Sequence, residues 1–380
     1  MRFVQLSTIG ASVIWLAFLF IGSMVGIGAV TYIVFRMAKL GFIQRLSKKR
    51  KGWARVISLC ILAAVAIVLI VAMGVLNTII CFIHLFLVWA ICDLVGKIVR
   101  KASKREFKGY CAGIVAILLT VLYLGYGWYS AHHVVETDYK ISAGESLEID
   151  SLRVVGFADS HVGATFNWQG FSEHMEEIEA LDPDIVVIAG DFVDDGTTRE
   201  DMIESCKALG QIESTYGVYY IYGNHDKGYF GSESRGFSAE DLVENLEANG
   251  VVVLDDDVVN VVGSFYIIGR QDASSQTRAP ISELSAGYSD DDFLFVLDHQ
   301  PNDYDAEAAA KVDLVFSGHT HGGQFWPIRN LGVWLGMNDL TYGYEKRNDT
   351  EFIVTSGIVD WEVKFKTGCV SEIVVIDIER

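Results

Sequence analysis

Proline is scarce in this chain, 4 residues in 380, while mean hydropathy is positive and the formal net charge is −19. Together these values set it apart from an ordinary soluble protein. Acid is nearly absent from the first third: residues 1–133 hold half of the 30 Lys and Arg against only Asp93 and Glu106. The acidic excess therefore lies wholly beyond them, and two regions of opposite chemistry are joined near Val134. The acidic region lacks the Lys/Arg-rich face that binds a phosphate backbone, which argues against a nucleic-acid partner. Cysteine supplies no disulfide framework, because Cys60, Cys81, Cys92 and Cys111 lie in or beside apolar runs and only Cys206 and Cys369 belong to the acidic region. Cys206 reads as a small buried residue of a helix over about 199–213.

What the basic region has is uncharged length. A membrane helix needs about 20 apolar residues, and four spans are expected, at about 8–35, 56–74, 76–96 and 109–131. As a single helix, Val56–Cys92 would rise about 55 Å against a hydrocarbon core of about 30 Å, so it is expected to turn near Gly74–Asn77. Basic loops at Arg36–Arg55 and Lys97–Lys108 should both be cytoplasmic, which puts the chain beyond the fourth span outside. The first apolar run is about twice as long as the core of a cleaved signal peptide. Tyr123, Tyr126, Trp128 and Tyr129 read as an aromatic belt at a water interface. Gly22 and Gly26, four apart, carry little weight as a packing motif, since glycine is common in such helices. His84, mid-span, reads as a neutral imidazole bonded to a neighbouring helix. The several intramembrane charges of a transport pathway are missing, so anchoring is the expected role.

Residues 134–151 read as a linker and first strand, and 152–380 as one further domain. Within it, five polar clusters each follow an apolar, β-branched run: Asp159-Ser-His161 after Leu152–Ala158, Asp191 to Asp194 after Ile185–Ala189, and Asn224-His225-Asp226 after Val218–Tyr222. His299 follows Phe293–Leu297, and His319-Thr-His321 follows Leu314–Ser317. Short runs bounded by Gly, Asp or Asn and separated by helical stretches read as buried strands of an α/β domain. Ligands of such sheets bind beyond the carboxyl ends of the strands, where all five clusters fall. Any one cluster would be weak evidence; their convergence points to a two-metal phosphoesterase site.

At these residues the chain resembles the calcineurin-like metallophosphoesterases, and Gly318–Gln324, reading GHTHGGQ, is similar to their bacterial membrane-associated branch. The apolar spans imply a multi-pass α-helical membrane region, and the resemblance, which covers about Arg153 onward, implies that an α/β metallophosphoesterase domain follows it, a four-layer α/β/β/α sandwich with two mixed β-sheets. It further implies that Asp159, His161 and His321 hold one divalent ion, that Asp191 bridges, and that Asn224, His299 and His319 complete the second. Manganese is the first expectation and iron or zinc the alternatives, since mixed N/O ligands do not single out one metal. Two such ions activate a shared water as nucleophile. His225 is then the general acid, Asp194 orients it through a hydrogen bond, and Asp226 buttresses the turn from behind.

The chain also departs from that pattern. Asp298 precedes His299 where relatives carry a small or hydroxyl residue, and Thr355–Ile358 and Glu362–Phe365 lack the relatives' usual Pro and Arg. The arginines that clamp phosphate in calcineurin-type protein phosphatases have no counterpart directly after Asp194, where the chain reads Asp195-Gly196, which disfavours a phosphoprotein substrate. Phe325 and Trp326, through Val333–Met337 to Tyr342, are apolar for a loop beside a charged site, and Phe325, Trp326 and Tyr342 are candidate substrate contacts. The expected substrate is a phosphomono- or phosphodiester, with a lipid headgroup or lipid-linked envelope intermediate favoured. A soluble nucleotide or sugar phosphate is the alternative, and a non-catalytic membrane sensor with a structural metal site is a reading from another class.

Overall fold

The structure, a computed structural model, describes residues 24–103, 110–144, 147 and 149–380. Most of the first expected span, Gly22, and the basic residues Lys104, Arg105 and Lys108 lie outside the described residues. The chain divides into two compact units, Met1–Gly125 and Tyr126–Arg380.

Among the described residues, two helical runs are long and apolar enough to cross a membrane, Lys51–Ser103 in the first unit and Ala112–His132, which runs from the first unit into the second. Shorter helices cover Met24–Met37 and Gly41–Leu46. The run Lys51–Ser103 is broken at Gly74, whose φ of 82° and ψ of 172° are open to glycine alone. Ala54 and Leu62 before the break share one apolar cluster with Trp89 after it. Unbroken, the helix would hold Ala54 and Trp89 about 50 Å apart, so the run doubles back at Gly74. Asp93 ties the bundle together: it pairs with Arg36 at 2.7 Å and accepts from the hydroxyls of Tyr32 at 2.5 Å and Tyr110 at 2.8 Å. His84 Nδ1 lies 2.8 Å from the carbonyl of Ile80, one turn back on its own helix, and its ring centroid stands 5.6 Å from that of Tyr123.

The second unit is built on two six-stranded mixed sheets. The strands are β1 (Val134–Ser142), β2 (Ser151–Phe157), β3 (Ile185–Ala189), β4 (Val218–Ile221), β5 (Val251–Leu254), β6 (Asp257–Val262), β7 (Phe265–Gly269), β8 (Phe293–Leu297), β9 (Leu314–Ser317), β10 (Gly343–Arg347), β11 (Thr350–Val354) and β12 (Ser371–Glu379). One sheet has the order β1-β12-β2-β3-β4-β5 and the other β10-β11-β9-β8-β7-β6. Within each, four consecutive strands are parallel, β2 to β5 and β11-β9-β8-β7.

Strand alternation makes the layers. From β3, Ile185, Val187 and Ala189 enter the core between the sheets, where they meet Phe295, Phe316 and Ile353. Val186 and Ile188 point the other way, under the helices Trp168–Glu179 and Arg199–Leu209. Those helices bury Phe171, Met175 and Ile178, and Met202, Cys206 and Leu209, at helical spacing. Asn167 and Thr198 cap their first turns. On the far side of the second sheet, Ile281, Tyr304 and Ala308 cover Leu294, Val296 and Phe352. Gly156 lies where the sheets come closest, and a Cβ there would stand 2.9 Å from the Phe316 ring. All six cysteines are free, with Cys206 and Cys369 buried.

Candidate metal centre

The parallel strands β2, β3, β4, β8 and β9 end at one edge, and the polar clusters begin in the turns that follow. Asp159, His161, Asp191, His319 and His321 all have positive φ, between 36° and 69°. A non-glycine residue held there costs of the order of 1–3 kcal/mol, and such residues gather at functional sites. Two glycines allow the turns to close on one another. A Cβ on Gly190, itself at φ 83°, would stand 2.5 Å from Gly223 N and 2.7 Å from His299 Nδ1.

The result is two facing triads. Asp159, His161 and His321 bring one potential ligand atom each within 4.8 Å of the others, and Asp191, His299 and His319 do the same. Asp191 stands between them: its Oδ2 is 3.2 Å from His299 Nε2 and 3.7 Å from His161 Nε2. That is the position of a carboxylate shared by two cations. The donor atoms fit such an occupant. His161 Nε2, His299 Nε2 and Asn224 Oδ1 are buried with no hydrogen-bond partner, a costly arrangement unless something coordinates them. Burial pushes Asp159 up to about 6 and His319 down to about 4. Burial also opposes ionisation of Asp191, but His299 and His161 beside it overcome this and hold its carboxyl far below the usual range. A buried carboxylate set between imidazole nitrogens that lack hydrogen-bond partners is a candidate cation site.

Each ligand has a support. His299 Nδ1 donates to the carbonyl of Ala189 at 2.7 Å, which fixes the tautomer and leaves Nε2 for a metal. Asn224 Nδ2 donates to Tyr229 Oη at 2.7 Å, turning Oδ1 inward. Asp226 accepts from the backbone N–H groups of Asp191 at 2.8 Å, Val193 at 2.9 Å and Gly223 at 2.6 Å, fastening two ligand turns together. Asp298, the unusual neighbour of His299, faces away from the ligands and accepts from Arg270 at 2.9 Å and from Arg278.

One expectation is corrected. Asp194 was expected to orient His225, but its Oδ2 lies 3.4 Å from His161 Nδ1 and its Oδ1 accepts from Gly196 N at 2.6 Å. The carboxylate stands one residue beyond the strand-end turn that also carries Asp191, and that turn aims it at the ligand His161. Burial raises the Asp194 pKa, but the His161 contact outweighs it and the net shift is downward. Tyr342, a candidate substrate contact, donates its hydroxyl to Glu372 Oε2 at 2.9 Å.

The structure adds residues that sequence reasoning passed over. Asp360 Oδ1 lies 3.7 Å from His321 Nδ1, and behind it the fully buried Lys366 ammonium contacts Asp360 and the carbonyl oxygens of Ser356 and Val359. Trp361 and Tyr229 flank His225, with ring centroids at 4.7 and 5.1 Å. The available signal was the alternation of Asp360, Glu362, Lys364 and Lys366 with Trp361, Val363 and Phe365.

Comparison with known proteins agrees with this geometry. Residues 152–323 match the family model described as calcineurin-like phosphoesterase. An uncharacterised metallophosphoesterase of Campylobacter jejuni is 28% identical over 232 residues, 60% of this chain and 59% of its own. A bovine transmembrane protein with a metallophosphoesterase domain is 27% identical over 239 residues, 59% of this chain and 52% of its own. An uncharacterised Bacillus subtilis metallophosphoesterase is 26% identical over 239 residues, 59% and 79% of the two chains. The chain thus spans less than two thirds of the length of the first two. A solved dimetal phosphatase from Danio rerio aligns over 54% of this chain and 87% of its own at 11% identity, with a TM-score of 0.36, from which nothing further is drawn.

Proposed function

We propose that the chain, whose residues 152–323 match the family model described as calcineurin-like phosphoesterase, is a membrane-anchored phosphoesterase that uses two divalent cations to hydrolyse phosphomono- or phosphodiesters. The observation that carries this reading is the pair of facing triads with Asp191 between them. Asp159, His161 and His321 would hold one cation, and His299, His319 and Asn224 the other, with Asp191 common to both. Bound there, manganese, iron or zinc supplies a nucleophilic water at neutral pH and neutralises phosphoryl charge.

His225 is the proposed general acid. It is half-buried beside the triads and flanked by Trp361 and Tyr229, which limit its rotation. Burial lowers its pKa, which disfavours the imidazolium that a general acid needs at neutral pH, and the negative charge of a bound phosphoryl group would favour it again. Asp194 steadies His161 and thereby the first cation site.

The membrane region is read as multi-pass, with Lys51–Ser103 contributing two spans on either side of Gly74 and Ala112–His132 a third, preceded by the N-terminal apolar run. The basic loops at 36–55 and 97–108 then place the catalytic unit outside the cytoplasm. The favoured substrate is a lipid headgroup or lipid-linked phosphoester. It is supported by the apolar residues that follow His321 and by strand β1 starting at Val134, two residues after the helix ends at His132.

A hydrolysis screen of full-length protein in detergent with Mn2+, spanning phospholipids, lipid-linked phosphates and nucleotides, tests the reading. Metal-dependent release from a lipid phosphoester, lost in Asp191→Ala, is expected. Turnover of nucleotides alone would remove the lipid assignment, and no turnover of any ester would remove the enzyme.

A further inference from the structure

The segment that follows the second metal-ligating histidine of the His-Thr-His turn exposes an unusual amount of apolar surface. Trp326, Ile328, Leu331, Trp334, Leu335 and Met337 are each between 46% and 66% exposed. Leu331, Trp334 and Leu335 fall at i, i+3 and i+4 of one helical turn, so they share a face. The segment is nevertheless held firmly at its root. Thr367 N and Gly368 N donate to Gln324 O at 2.7 and 2.8 Å, Trp326 N donates to Thr367 Oγ1 at 3.3 Å, and Arg329 donates to Gly368 O at 3.1 Å. A rigid base carrying outward-facing Trp, Leu, Ile and Met is built for contact, since soluble surfaces avoid contiguous apolar patches of this kind.

The same base carries a second aromatic group. Lys366 N donates to Gly127 O at 2.8 Å, Ser371 Oγ donates to Ala131 O at 2.9 Å, and a Cβ at Gly127 would collide with Thr367 Cγ2. Thr367 therefore has the helix end 126–131 on one side and the loop from Trp326 on the other. That helix end exposes Tyr126, Trp128 and Tyr129 at 57%, 48% and 55%. Amphipathic rings at the end of an apolar helix are the residues that settle at a bilayer's headgroup level.

We propose that Trp326–Met337 is a membrane-contact loop which, with the aromatic helix end at Tyr126–Tyr129, seats this face of the catalytic unit on a lipid bilayer. The occupant is the bilayer and not a protein, because the patch is continuous, through Thr367, with the end of a helix apolar enough to enter one. The loop starts at Gln324, whose amide donates to Asp360 at 3.2 Å beside His321, so seating it brings the ligand turn to the level of lipid phosphates. The inference rests on the membrane-anchored reading above and deepens it: the substrate would be taken from the plane of the membrane.

The test is full-length protein carrying Trp334→Cys in a background with Cys60→Ser and Cys111→Ser, labelled with the fluorophore NBD. It is reconstituted into phosphatidylcholine vesicles with plain or brominated acyl chains, with Glu200→Cys on the exposed helix Arg199–Leu209 as the control site. Label at 334 should be quenched at least two-fold by brominated chains and label at 200 hardly at all. Equal, weak quenching at both sites in protein that resists carbonate extraction overturns the docking face and leaves the anchored reading standing. Release by carbonate with no quenching overturns both. A blue shift at 334 that grows with protein density without bromine quenching makes the patch a contact between copies, and overturns the proposal.

Discussion

His299, at the end of β8, donates Nδ1–H to the carbonyl of Ala189, the last residue of β3, across 2.7 Å. One hydrogen bond thus joins the two sheets at their carboxyl edge and sets the tautomer of a ligand. The same ring presents Nε2 to Asp191 at 3.2 Å.

His299→Ala should therefore remove one of two bound cations. Elemental analysis of purified protein equilibrated with Mn2+ should fall from about two ions per chain to about one, and activity by at least about 100-fold, as expected when a two-metal clamp is broken. Unchanged stoichiometry would show that His299 is a packing residue.

Asp226→Ala leaves the backbone N–H groups of Asp191, Val193 and Gly223 without their acceptor. Each unsatisfied donor costs about 1–3 kcal/mol, so a loss of at least about 3 kcal/mol is expected, read as a Tm drop of roughly 6–12 °C. Asp226→Asn keeps one acceptor oxygen and should lose less than half as much. Equal losses in the two variants would contradict the buttress.

His225→Ala should slow alkyl phosphoesters by about 10²–10⁴-fold, the usual worth of a general acid. A nitrophenyl ester, whose leaving group needs no proton, should slow by less than about ten-fold. The ratio of the two kcat values is the readout, and a common factor for both esters would mean that His225 acts before bond cleavage.

Arg270 is buried and contacts Asp298, Glu307 and Asp303 at 2.9–3.0 Å. Arg270→Met uncovers buried carboxylates and should cost about 3–5 kcal/mol. Because Asp298 faces away from the ligands, the folded fraction should retain about two cations per chain. Loss of metal without loss of stability would place Asp298 in the centre after all.

Burial pushes Asp313 up to about 6, against an unfolded value near 4. Between about pH 4 and 6 the folded state binds the extra proton, so the stabilising protonated form is lost as pH rises through that window. Asp313→Asn cannot ionise, and its Tm relative to wild type should climb from pH 4 to pH 7, by at most about 3 kcal/mol in stability. A pH-independent difference would contradict the assignment.

Much of the catalytic unit was legible because its strands are buried on both faces and so read as apolar runs: Ile185–Ala189, Phe293–Leu297 and Leu314–Ser317 match β3, β8 and β9 residue for residue. The triads were legible because each ligand sits at a strand end. Contacts made by chain reversal were not. Whether Asp194 faces His161 or His225 depends on how the turn after β3 is pinned by Thr197 and Gly196, and no spacing encodes that. Asp360 reaches His321 from the segment between β11 and β12, and Lys366 is kept charged-side inward by carbonyls that only the fold assembles.

The central claim is that Asp191 links two cations into one phosphoesterase site. It is tested most directly by the rate of hydrolysis of bis(p-nitrophenyl) phosphate by full-length protein in detergent, stripped with EDTA and titrated with Mn2+. Wild type should be silent when stripped and recover with a two-site dependence on Mn2+, while Asp191→Ala stays at least about 100-fold slower at every concentration. A rate indifferent to EDTA, or an Asp191→Ala curve that overlays wild type, would contradict it.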